Sequence, residues 1–126
     1  MSVTEAKTAA VRGEVPSRDV ILGQIRELRP LFEANAARTE SDRRVVEENI
    51  SALRDADAFR IMVPKRFGGF ETDIRTALEV SREVAMGCGS TAWVTALMNV
   101  CSWFTSLGNE QLQRDIWGEN PVIAQP

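Results

Sequence analysis

The sequence predicts an all-α domain. Apolar residues recur at three- and four-residue spacing along most of the chain, Ser, Thr and Asp stand where helices would begin, and proline and glycine punctuate the intervals. At 126 residues the chain suffices for one modest core, and it shows no internal repeat at solenoid spacing.

Residues 1–16 are polar and alanine-rich, lack the apolar core of a signal peptide and are expected to form a loose tail. A first helix is expected from Ser17, with Ile21, Ile25 and Leu28 on one face, until Pro30 kinks or ends it. A short second piece follows through Leu31 and Phe32 toward Ala37. Thr39 or Ser41 is expected to cap the next helix, whose apolar stripe is Val46, Ile50 and Leu53. Its wet face carries Arg43, Arg44, Glu47, Glu48 and Arg54, spaced for i,i+4 pairing. The stretch from Ala58 to Phe70 reads as a buried loop: Phe59, Ile61, Met62 and Val63 cluster before Pro64, and Gly68-Gly69 closes it. Phe67, Gly68 and Gly69 are read as structural, since no phosphate-binding GxxxxGK[ST] pattern surrounds them.

Thr72 is expected to cap a further helix, with Ile74, Leu78, Ser81 and Ala85 as one face, and Gly87 and Gly89 as its stop. Ser90 and Thr91 then cap a long helix to about Leu107, ended by Gly108. That helix is apolar on nearly every side, through Ala92, Trp93, Val94, Leu97, Val100, Trp103 and Phe104. Such a helix must be buried all round, and a body of this size cannot easily enclose one. The excess therefore points to further protein, or to a cofactor or substrate lying against it. A short amphipathic helix from Glu110 to Trp117 is expected to turn Leu112 and Ile116 inward. Gly118, Asn120 and Pro121 break the pattern, and residues 121–126 read as the start of a further, β-rich domain.

Composition excludes several function classes. With no histidine, the chain holds no Ser-His-Asp or Cys-His dyad and no His metal ligand. Cys88 and Cys101 are too few for a disulfide scaffold and lack zinc-site spacing. A net charge of -3 argues against a nucleic-acid or anionic-membrane partner, and no apolar run approaches a membrane span; the cytoplasm is the default expectation.

Three segments carry a family resemblance. FRIMVPKRFGGFETD (Phe59 to Asp73) resembles the N-terminal element of the acyl-CoA dehydrogenase superfamily, with its P-x-x-[YF]-G-G core. ALEVSREVAMGCGSTAWVTAL (Ala77 to Leu97) resembles that family's helix, small-residue turn and buried helix. NVCSWFTSLGNEQLQRDIWGENP (Asn99 to Pro121) is similar to the family's oxygenase branch, where G-V-H-x-W precedes an acidic, Trp-containing helix. The likeness covers about Ser17 to the C-terminus.

The resemblance implies that residues 17–120 are an N-terminal helical domain, ahead of a middle β-barrel and a C-terminal helix bundle, in a protein usually assembled as a tetramer. It implies a reduced flavin, FMN or FAD, held mostly by regions beyond this chain and supplied by a separate reductase. It implies hydroxylation of a small aromatic or phenolic substrate with O2. Carried over by position, Trp93, Asn99, Cys101, Trp103 and Thr105 are the candidate pocket residues, with Trp93 also a possible flavin contact. Each tryptophan has packing as its alternative role. Cys101 stands where this branch commonly has histidine; a thiol is a poor hydrogen-bond donor, and Cys101 is expected to be an inert, buried group. Thr105, one turn on, shares its face. Two other functions remain open from the residues: an acyl-CoA dehydrogenase acting on an acyl thioester, and a non-catalytic helical interaction module.

Overall fold

The computed structural model describes residues 14–119. They form α1 (Arg18–Glu27), α2 (Arg29–Ser41), α3 (Glu47–Asp55), a 3-10 turn (Lys65–Phe67), α4 (Ile74–Ala85), α5 (Gly89–Ser106) and α6 (Glu110–Trp117). No strand occurs among the described residues, so the all-α expectation holds there. Residues 1–13 of the expected tail and the β-rich start at 121–126 lie outside the described residues.

Helix α1 begins as its sequence specifies. The Ser17 hydroxyl accepts from the Val20 amide at 3.4 Å, and Ile21, Leu22 and Ile25 are buried. Pro30 then sits in the first turn of α2, where its missing N–H has no intrahelical partner to lose. The expected cap at Thr39 or Ser41 is a correction, because both lie inside α2. That helix ends instead at Arg43, in left-handed geometry (φ 51°), with its amide donating to Glu40 O and the Arg44 amide to Thr39 O. This is the Schellman arrangement, in which glycine usually marks the turn. An arginine there leaves no sign in the sequence. Helix α3 starts after extended Val46 without a side-chain cap, aided by Glu47 and Glu48 in its first turn. Its expected wet-face pairs also form differently: Arg38 of α2, not a residue of α3, donates to Glu48 at 2.6 Å.

The loop after α3 is buried as expected, with Ala58, Phe59, Ile61, Met62, Val63 and Phe70 in the core. Its two ends are stitched together: the amides of Phe70, Glu71 and Thr72 donate to the carbonyls of Arg60, Val63 and Ile61. A Cβ on Gly69 would lie 1.9 Å from the Val63 carbonyl oxygen, and Gly68 adopts φ 84°. Close approach and handedness both demand glycine here.

Three further expectations are corrected around α4 to α6. Asp73, not Thr72, caps α4, accepting from both the amide and the hydroxyl of Thr76; those bonds hold its carboxyl below the usual range. Thr72 instead donates to Ile61 O. Gly89 is the first residue of α5 rather than a stop, and Ser90 and Thr91 lie inside the helix behind Cys88. Finally, α6 turns Gln113 and Trp117 inward while Leu112 and Ile116 stay exposed. The Gln113 amide donates to the carbonyls of Ser106 and Gly108, tying off the end of α5, and Trp117 meets Phe67 at 5.7 Å between ring centroids. The inward face gains the burial of Trp117, which is 1% exposed, and meets helix-end carbonyls that would otherwise be unpaired.

Helix α4 packs most extensively on α5 and next on α1. An ion-pair clamp fastens that layer: Arg26 and Arg29 donate to the two oxygens of Glu83 at 3.0 and 2.9 Å. The hydrogen bond from Arg26, with the charges of both guanidinium groups, holds the Glu83 carboxyl below its ordinary value of 4.5.

Two outcomes follow. Gly69→Ala is expected to cost about 3 kcal/mol or more, whereas Gly23→Ala, helical and with open space around the new methyl, should gain about 0.5–1 kcal/mol; urea unfolding of each variant checks both. Because the folded carboxyl is depressed, the Glu83 contribution is fully present above pH 4.5 and is lost as pH falls through its lower folded value. Glu83→Gln should therefore be less stable than the parent at pH 7, with the gap closing below pH 4.5 in parallel melts.

Candidate functional site

Helix α5 is inverted relative to ordinary amphipathicity. Its buried residues are Thr91, Ala92, Thr95, Asn99 and Ser102, while Trp93, Leu97, Val100 and Phe104 are exposed. The hydroxyls of Thr95 and Ser102 donate to the carbonyls one turn back, Thr91 O and Met98 O, so burying them leaves no donor unmet. Thr91 accepts from the Asn49 amide nitrogen at 3.0 Å. The expectation of a helix buried all round is thus corrected, for small, mostly polar side chains fill much of the interior face, Met98 and Trp103 pack partly against the core, and Trp93, Leu97, Val100 and Phe104 remain outside. The expectation of an uncovered apolar surface holds, with Trp93 70% and Phe104 61% exposed.

Helix α4 carries a matching surplus. Its buried stripe is Thr76, Val80 and Val84, whereas the face read from the sequence is turned out, with Ile74 and Leu78 exposed. Between the outer faces of α4 and α5 lies a cleft of about 310 Å³, lined by Met62, Ile74, Ala77, Leu78, Ser81, Ala96, Asn99, Val100, Trp103 and Phe104. No charged side chain lines it. The Ser81 hydroxyl is spent on Ala77 O. Asn99 is buried, and neither its amide oxygen nor its nitrogen has a hydrogen-bond partner among the described residues.

Of the five residues chosen from sequence, Asn99 and Trp103 meet in this cleft. Trp93 lies elsewhere, on a second cleft with Thr39, Arg43 and Ser90 at the start of α5. Cys101 is exposed in this chain, which corrects its expected burial, and half-buried Thr105 lines neither cleft. Sequence reasoning grouped Ile74 and Leu78 with Ser81 on one face of α4 but did not include them among the site residues, and the structure places all three on the cleft. The available signal was a second apolar stripe, Val80 and Val84, on the same helix. No described helix is long and apolar enough to cross a membrane.

Fold and cleft together define a helical domain with an apolar cleft between the outer faces of two of its helices. The family described as acyl-CoA dehydrogenase, N-terminal domain, matches residues 26–118, and the chain belongs to that family. The oxygenase subunit HsaA of a flavin-dependent monooxygenase from Mycobacterium tuberculosis (strain ATCC 25618 / H37Rv) is 35% identical over 101 residues, covering 80% of this chain and 26% of that protein. The oxygenase component of an FADH(2)-dependent resorcinol hydroxylase from Rhizobium sp. (strain MTP-10005) is likewise 35% identical over 101 residues, with 80% and 25% covered. The crystal structure of the HsaA monooxygenase from M. tuberculosis aligns with a TM-score of 0.81 at 33% identity, over 85% of this chain and 29% of that one. The chain therefore spans about a quarter of the length of the curated relatives it matches. The resemblance read from the three sequence segments is borne out, including its lean toward the oxygenase branch.

The uncovered faces predict that the 126-residue chain binds a hydrophobic dye and self-associates at raised concentration. Leu78→Glu with Phe104→Glu should remove most of the dye signal while shifting stability by only about 0.5 kcal/mol per exposed site. A monomer in sedimentation that binds no dye would contradict the uncovered-face reading.

Proposed function

We propose that this chain is the N-terminal helical part of the oxygenase component of a two-component flavin-dependent monooxygenase, and that the α4–α5 cleft forms one wall of its pocket for a small aromatic or phenolic substrate. The cleft carries the reading. It is concave and lined almost wholly by apolar and aromatic side chains, the form of a small-molecule site. The relatives named above are oxygenase components, which favours hydroxylation over acyl-thioester oxidation.

In this reading Trp103, Phe104 and Leu78 hold an aromatic ring by apolar contact and keep water from it. The described residues do not fit the flavin itself: the cleft is small, its wall offers no cation or phosphate donor, and exposed Trp93 is at most a flanking contact. Reduced flavin, FMN or FAD, supplies the oxygen chemistry when bound by other parts of the protein. A separate reductase, a homotetramer and a cytoplasmic setting complete the proposal. Exposed Cys101 faces outward from α5 in place of the histidine common in this branch, so its thiol contributes little hydrogen bonding to whatever covers it.

The complete protein encoded by this reading frame, mixed with a flavin reductase, a nicotinamide reductant and simple phenols, is expected to release hydroxylated product. That product should vanish when the reductase is omitted. Oxidation of fatty acyl-CoA without any hydroxylation would overturn the proposal.

A further inference from the structure

Helix α5 carries two rival faces. Trp93, Leu97, Val100, Phe104 and Leu107 alternate at four- and three-residue spacing, so they share one narrow stripe, and all five are exposed. Thr91, Thr95, Asn99 and Ser102 lie on the other side and are buried. The helix holds no charged residue, so no charge bars either face from the interior. Apolar surface alone favours turning the stripe inward, and the fold does the reverse. Small side chains on the inner face let α4 pack closely, which offsets part of that preference. A directional contact must supply the rest.

Most polar bonds around α5 cannot do so. The hydroxyls of Thr95 and Ser102 donate to carbonyls of α5 itself, and those bonds turn with the helix whichever way it faces. Asn99 has no partner among the described residues. Gln113 bonds the carbonyls of Ser106 and Gly108, which point along the axis and hold α5 lengthwise. The start of α5 has no side-chain cap. One bond differs from these. The Thr91 hydroxyl oxygen accepts from the Asn49 amide nitrogen at 3.0 Å, and Asn49 belongs to α3, a helix that otherwise meets α5 little. The Asn49 oxygen is held in turn by Asn35 of α2, which donates at 2.9 Å. Asn49 and Thr91 are both fully enclosed. Turning α5 about its axis would carry Thr91 away and leave part of a primary amide unmet in the interior.

We propose that Asn49 is the positioning residue that sets the rotation of α5, and with it the face that the domain presents. Its buried bond to Thr91 keeps the small polar side chains inside and the stripe from Trp93 to Leu107 outside. A single buried asparagine fixes register in coiled coils through the same penalty. Asn49 acts by selecting one arrangement more than by adding stability. With leucine in its place, the Thr91 hydroxyl can turn to a carbonyl one turn back, as Thr95 does, and half-buried Asn35 can reach water. The inference concerns which face is presented and does not depend on what the cleft binds.

The test uses the 126-residue chain at high dilution, with alkylation of its two thiols read by mass spectrometry, hydrophobic-dye fluorescence and thermal melts. In the parent, exposed Cys101 should react fast and buried Cys88 slowly. In Asn49→Leu the balance between the two settings of α5 should move about tenfold toward the inward stripe, the worth of one buried hydrogen-bonding group. Dye signal should then fall and a slow phase of Cys101 alkylation appear, with Cys88 still protected and the melt still cooperative. Thr91→Val, which removes the acceptor, should shift both readouts the same way, and Thr91→Ser, which keeps the hydroxyl, should match the parent. A purely structural role for Asn49 would move the readouts in the opposite direction, with more dye bound and both thiols faster. That result, unchanged readouts in Asn49→Leu, loss of its cooperative melt, or the same shift in Thr91→Ser would each overturn the inference.

Discussion

The inward burial of α5's polar face is the constraint on which the rest of the molecule depends. Thr91, Thr95 and Ser102 enter the interior because each hydroxyl finds a partner, in the helix's own backbone or in Asn49. Small side chains on that face let α4 come close, and the α4–α5 contact is the largest in the fold. Beyond Met98 and Trp103, which pack partly on the core, the large apolar residues of α5 then have the outside left to occupy. Exposure of Trp93, Leu97, Val100 and Phe104 is thus a consequence of how the interior is filled, not a defect of packing.

The remaining elements hold α4 and α5 in register. The stitched loop from Arg60 to Thr72 delivers Met62 to the cleft and sets the start of α4 through Thr72 and Asp73. Glu83, gripped by Arg26 and Arg29, ties the far end of α4 to the α1–α2 junction. Gln113 performs the same service at the end of α5 by bonding the carbonyls of Ser106 and Gly108. With α4 held at both ends and α5 at its C-terminal end, the groove between their outer faces is set by the fold itself.

Local chemistry made several elements legible. Ser17 caps the helix that follows it, and Pro30 and Gly108 fall at breaks, because each acts through its own backbone neighbourhood. The glycine pair at 68–69 was legible as a turn for the same reason. Where the outcome depended on partners distant in the chain, the local signs misled. A serine and a threonine near the end of α2 look like caps, yet the helix runs through them until Arg43 turns left-handed. Leu112 and Ile116 look like a core stripe, yet Gln113 and Trp117 win the inward face through bonds to α5 and a ring contact with Phe67.

The site divides along the same line. Sequence alone determined the helical class, the surplus of apolar surface on α5 and the family, since these rest on composition, periodicity and motif order within one stretch of chain. Only the tertiary structure decided which faces are inside. Both α4 and α5 carry two candidate faces, and periodicity assigns residues to a stripe without saying which stripe meets the core. The choice came from pairing: hydroxyls that satisfy themselves can be buried at little cost, so Ile74, Leu78 and Phe104 were left to line a cleft, with Asn99 unpartnered at its floor.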